Sequence, residues 1–380
     1  MHFLNWLNSY RPVTYRSGRT SIILPFCYTW LTIVLSLLSQ PLSAEGFPEL
    51  EVQVSSGVIS GLPVSWGNDQ VLMLRSDGWL SQFPRNQVIH HRLLDRNFQP
   101  AVAHEMAKTL LDEIGGSYQS AVAGPFLIVA PGNSIPLWSD RFLQLYNGFR
   151  SFCSTRQIPL REPSFLMPAI VLRTREEFEQ YAQRHNNPVS PSTLGYYSLL
   201  SNRIVLYDLP NSDATSTFYS TASTLIHEAT HQTAYNTGIH DRLSEQPLWV
   251  VEGLAMLFEA PGIYDSDRYQ RREMRINKLR RDSFKHYFPN EDSLAEALPL
   301  LITDDKYFDR DPDRAYSLAW ALTFYLSEKS VASYASLLRQ TSSRGPGSVY
   351  PGNERFRDFE QQFGGINLLA RDLQRYIKEL

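Results

Sequence analysis

Residues 224–233, TLIHEATHQT, constrain this chain more than any other stretch. His227 and His231 are four apart, and Glu228 is the only acid in the segment. An α-helix turns ~100° per residue, so the two imidazoles lie about 40° apart around the axis. Both can then reach one ion at ~2.0–2.1 Å. Glu228, one step round, cannot join them without strain, but it can reach a water in the ion's open position. Thr224, Leu225, Ala229, Thr230 and Gln232 carry no charge, as a buried helix requires. Burying His, Glu and His together is costly unless something balances the charge. The fold must therefore bring a second buried element to this helix.

A catalytic zinc needs a third protein ligand. The segment PLWVVEGLAMLFE (247–259) offers Glu252, the only acid between Trp249 and Phe258. The break at NTG (236–238) gives the chain room to reverse, so the two helices can run antiparallel with Glu252 facing the histidines. Gly253 and Ala255 are small, which predicts a close approach of this helix to the first. Glu259 lies two turns further along the same face, either bracing a histidine or ending the helix toward solvent. His240 and Asp241, in the connecting loop, are rival ligands.

The remaining chain divides into three stretches. Residues 1–44 carry Arg11, Arg16 and Arg19 and no acid, then an apolar run from Ile22 to Leu38 and a small-residue exit at Ser43-Ala44. That order predicts a signal peptide and export to the periplasm, cell surface or exterior; an uncleaved membrane anchor is the alternative. Cleavage would take the net charge from −3 to −6 and leave Cys153 as the only cysteine. A mildly acidic chain gives no reason to expect nucleic acid, and one cysteine cannot form an intrachain disulfide. Residues 45–98 alternate apolar and polar between SSG, GND and SDG turns, predicting a small β module with a packing role. Residues 99–380 mix helices and strands, so the expected fold class is α+β. Here PFLIVA and AIVLR read as buried strands, a helix from a Ser139 cap places Phe142, Leu145, Tyr146, Phe149 and Phe152 on one face, and Thr174 with Glu177 forms a capping box. Residues 266–283 read as one helix with seven cations, chiefly a solvated face. His90, His91, His104 and His185 show no ligand spacing.

HEATH followed by VEGLA resembles the gluzincin metallopeptidases. The EGxA around Glu252 is similar to the aminopeptidase N branch. GYYSLLSNRIVLYD, HEATHQ, LWVVEGLAMLFE and AYSLAWALTFYL, in this order, look like a bacterial domain-of-unknown-function family of exported gluzincin-type proteins, over roughly residues 100–330. The resemblance implies a zincin-like domain hydrolysing peptide bonds, with His227, His231 and Glu252 on Zn²⁺ and Glu228 as general base. It implies a sheet edge over the site, for which Arg203–Tyr207 is the candidate, and a Tyr or His to hold the oxyanion. Tyr316 is the choice, with Trp320 packing and His286 and Tyr307 as alternatives. No G-x-M-E-N element for a free amino terminus is present, which points away from aminopeptidase action and toward an endopeptidase or narrow specialist. The competing reading is an inactive, exported scaffold that binds metal and a peptide or protein; an intact Glu228 argues against it. A metal-free structural protein would require both HEATH and VEGLA to be coincidence.

Overall fold

Two β-sheets with different burial divide the strands of this protein, and helices supply the rest of an α+β fold. The computed structural model describes residues 46–208 and 216–380, with no side-chain description for 216–222. The expected signal peptide or anchor lies outside the described residues. No described helix is long and apolar enough to cross a membrane.

The first sheet contains β1 (Pro48–Val54), β2 (Gly57–Trp66), β3 (Gln70–Leu74), β4 (Leu80–Pro84) and β5 (Val88–Asn97). Its order is β4-β3-β2-β1-β5, a meander whose last strand returns beside the first. Alternation in LEVQV puts Leu50, Val52 and Val54 against Val71, Met73 and Phe83 on one face. Beyond Gly61, β2 sends Leu62 and Val64 into a second small core with Leu74, Leu80 and Phe98. A Cβ at Gly61 would lie 2.2 Å from the Leu74 carbonyl oxygen, so only glycine allows this crossing. Phe165, Leu200 and Leu243 from the rest of the chain close that core. Leu80 N–H donates to the Leu200 carbonyl (2.7 Å), which ties the sheet to the body.

The second sheet holds β6 (Tyr118–Ala123), β7 (Phe126–Pro131), β8 (Met167–Leu172), β9 (Gly195–Ser198) and β10 (Arg203–Tyr207), in the order β6-β7-β8-β10-β9. Strands β7, β8 and β10 run parallel at the centre and read as continuous apolar runs, because both faces are covered. On one face, Leu127, Val129, Ile170, Leu172 and Val205 meet α1 (Ala103–Ile114) and α3 (Arg175–Arg184). On the other, Phe126, Ile128, Ala169, Val171 and Ile204 meet the main core, which includes α2 (Ile135–Thr155), α4 (Ser216–Asn236) and α5 (Leu248–Phe258). The helices α6 (Lys278–Tyr287), α7 (Glu291–Thr303), α8 (Pro312–Lys329), α9 (Val331–Ser342), α10 (Gly352–Phe363) and α11 (Ile366–Lys378) complete that half.

Several boundaries depart from expectation. Helix α2 begins at Ile135 with a proline in its first turn, so Ser139 is an interior residue rather than the cap. Thr174 does cap α3, its hydroxyl accepting from Glu177 N–H. The basic run 266–283 is two short pieces. A 3₁₀ turn at Arg272–Arg275 stops, and α6 starts afresh behind Asn277, whose side chain accepts from Arg280 N–H. Strand Arg203–Tyr207 is internal, paired with β8 on one side and β9 on the other. It therefore cannot accept an added strand; the edge on that side of the sheet is β9. Gly253 also differs from expectation. A Cβ there would sit 2.1 Å from Thr323 Oγ1, so the missing side chain serves contact with α8, not α4.

Candidate metal centre

All eleven residues of α5 are buried, Glu252 included. A lone carboxylate in that setting needs a cation or donors. Helix α4 supplies them. Its register against the sheet is set by Gln232, which donates to the Pro168 and Asn202 carbonyls (2.9 and 2.7 Å), and by Asn236, which exchanges hydrogen bonds with the Asn202 side chain (2.8 and 2.9 Å). Asn202 holds a left-handed φ of 58° at the entry to β10, a conformation asparagine tolerates. The helix ends at Asn236, and Gly238, at φ 80°, turns the chain out of it. The chain returns as α5.

The result is a convergent triad. One donor atom from each of His227, His231 and Glu252 lies within 4.8 Å of the others, so the three could hold a metal ion. His227 Nε2 is 3.0 Å from His231 Nε2 and 3.3 Å from Glu252 Oε2, and His231 Nε2 is 3.7 Å from Glu252 Oε1. Ligands ~2.0–2.1 Å from a tetrahedral ion stand about 3.3 Å from each other. The observed spacings scatter around that figure, so this donor set fits a small divalent ion. His231 and Glu252 are buried, whereas His227 and Glu228 are half-buried, so the cluster opens toward Glu228.

His227 is held from behind as well. Its Nδ1 lies 2.9 Å from Glu259 Oε1, and Asn277 Nδ2 donates to Glu259 Oε2 (2.6 Å). A carboxylate on Nδ1 keeps the proton there and leaves Nε2 with its lone pair toward the cluster. Of the two roles open to Glu259, the bracing one is therefore observed. The electrostatics agree with a site built for a cation. Burial alone would strip His227 of its proton, but Glu252 and Glu259 outweigh it and hold the imidazole's pKa well above the usual histidine value. Burial lowers His231 to about 4, against the pull of Glu252.

Glu228 faces β9. Its Oε2 accepts from the Tyr197 backbone N–H at 2.8 Å. Burial raises its pKa to about 7; the His227 charge opposes the rise, and Glu252 adds to it. Tyr316 is half-buried at the same place. Its hydroxyl is pushed well above 10, first by burial and then by the Glu252 charge, with Glu228 adding to the rise. Its ring meets Phe308 edge-on at 5.0 Å. Trp320, one turn on, is fully buried and stacks on Phe324 (5.4 Å). Of the alternatives, His286 is exposed and Tyr307 is buried among the charges of Arg314, Asp311 and Arg310. His240 is buried beside the Tyr235 ring (5.2 Å), both ring nitrogens without a hydrogen-bond partner, and burial lowers it to about 3. Asp241 accepts from Leu243 N–H (3.0 Å). Neither is in the triad.

Tyr197, Asn202 and Asn277 escaped the sequence reading. Only Asn277 carried a local signal, as an N-cap residue ahead of KLRRDS. The other two matter through long-range pairing, which no local pattern encodes.

A family model described as a protein of unknown function (DUF1570) matches residues 221–348. That span holds the triad together with Glu228, Glu259, Asn277 and Tyr316. It begins after the last strand and so leaves both sheets outside the match. No curated protein matches the chain.

Proposed function

We propose that this protein is a zinc-dependent peptidase of the gluzincin type, with a zincin-like domain around α4, α5 and the second sheet. The observation that carries the reading is the three-donor cluster with Glu228 at its open side. Two histidines and a glutamate are the ligand set of catalytic zinc sites that keep one position for water or substrate. A zinc ion held there would polarise the scissile carbonyl and acidify a water molecule.

The chain's own groups account for the remaining tasks. Glu228, with a pKa raised by burial, takes a proton from the attacking water and delivers it to the leaving amine. The Tyr197 N–H orients that carboxylate. The neutral Tyr316 hydroxyl donates to the developing oxyanion. Substrate adds along the edge strand β9, next to Glu228, and not along β10. Glu259 and Asn277 keep His227 in the tautomer a metal needs. The signal-like N-terminus supports an exported protein whose partners are peptides or proteins.

Glu228→Gln tests the reading. The variant should retain about one zinc per chain by elemental analysis and lose turnover of a peptide library by a factor of about a thousand or more. Wild-type protein that purifies from zinc-containing medium without metal would end the proposal. Wild-type protein that binds zinc but cleaves nothing in the library would favour the non-cutting scaffold.

A further inference from the structure

Among the described residues, Arg280 has a positive charge without an anionic partner. It stands in the first turn of α6, three residues after Asn277. Asn277 binds Glu259, and Glu259 binds His227, so this turn is anchored to the metal cluster. The guanidinium carbon lies 5.2 Å from the centre of the Tyr316 ring. Its Nε is buried with no hydrogen-bond partner. Among the described residues no carboxylate forms an ion pair with it; Asp309, whose charge reaches Tyr316, is exposed and does not. Its charge reaches Glu252 of the triad and helps hold that carboxyl down. An ion in the triad would engage Glu252, leaving Arg280 uncompensated beside the group proposed to hold the oxyanion. A half-buried arginine with free donors suits a carboxylate, which its planar fork matches with two parallel hydrogen bonds.

Resting on the peptidase reading above, we propose that Arg280 binds a carboxylate of the substrate. The substrate class is thus a peptide with a negative charge close to the cleaved bond, supplied either by its free C-terminus or by an acidic side chain.

The test uses full-length, zinc-loaded Glu228→Gln protein and fluorescence polarisation, so binding is read without turnover. Three labelled hexapeptide pools are compared: randomised with a free C-terminal carboxylate, randomised with a C-terminal amide, and amidated with a fixed aspartate next to the end. A carboxylate-bearing pool should bind about 10- to 100-fold more tightly than the plain amide, as a charge-assisted hydrogen bond allows. The aspartate pool tells which source of carboxylate is used. Adding Arg280→Gln should erase the difference while zinc content stays at one per chain, and Arg280→Lys should restore part of it. Equal binding of all three pools, no binding of any, or a preference that survives Arg280→Gln each overturns the proposal. Wild-type cleavage of any of the three pools, measured separately by mass spectrometry, decides the peptidase reading on its own.

Discussion

His227 is gripped at both ring nitrogens: Nε2 faces Glu252 at 3.3 Å, and Nδ1 faces Glu259 at 2.9 Å. Such a histidine is a better ligand than one free to rotate, because its tautomer and plane are already chosen. Glu259→Gln should therefore weaken zinc about 10- to 100-fold without unfolding the protein, measured by competition with a chelating dye. An unchanged affinity would mean that Glu259 does no bracing in solution. The sequence exposed the HEATH pair and Glu252 because each requirement is local: one helical face for two imidazoles, one acid in an apolar helix. It left Glu259 between two roles, since a carboxylate near a helix end looks the same whether it meets solvent or a histidine. Arg280 was hidden in a run of seven cations between Arg268 and Arg281 that reads as surface. Its placement depends on Asn277 breaking that run and starting a new helix.

At the scale of elements, α5 is the piece on which the centre turns. It is buried on every side, touching α4 with Glu252 and α8 with Gly253. Gly253→Ala would place a methyl 2.1 Å from Thr323 Oγ1 and 2.9 Å from the Ala319 carbonyl oxygen. The expected cost is about 1–3 kcal/mol, seen as a lower midpoint in chemical denaturation. Adding Thr323→Ala should recover part of it, because that hydroxyl has no hydrogen-bond partner to lose. If Gly253→Ala is as stable as wild type, the two helices are not in contact as described. Apolar periodicity made α4, α5 and α8 legible in the sequence. Which helix Gly253 faces was not, since small residues in a helix buried all round fit either neighbour. The same limit applies to the strands. RIVLY reads as a buried strand, but whether it is central or at the edge depends on whether GYYS pairs beside it.

Across the whole molecule, one ion network ties α1, α3 and β10 together, on the sheet face remote from α4. Glu113 receives both Arg203 (2.8 Å) and His185 (2.9 Å), and the Tyr181 hydroxyl accepts from Arg203 (2.7 Å). Burial pushes the Glu113 carboxyl up, but His185 and Arg203 outweigh it and bring it down to about 2. A folded-state pKa below the unfolded value of about 4.3 gives stability that is present above pH 4.3 and lost as pH falls toward 2. Glu113→Gln should thus be less stable than wild type at pH 7 and converge with it near pH 2, as measured by urea unfolding across that range. Parallel curves at both ends would mean the network contributes nothing. By itself the sequence determined the α+β class, the polar constellation of the candidate centre and the presence of its helices, because these follow from periodicity, burial and charge within a few residues. Only the tertiary structure decided which strand is the edge, which helix fills the gap at Gly253, what lies behind His227 and which cation stands beside Tyr316. Those outcomes are set by partners distant in the chain, and the free energy of each contact depends on the whole packed arrangement around it.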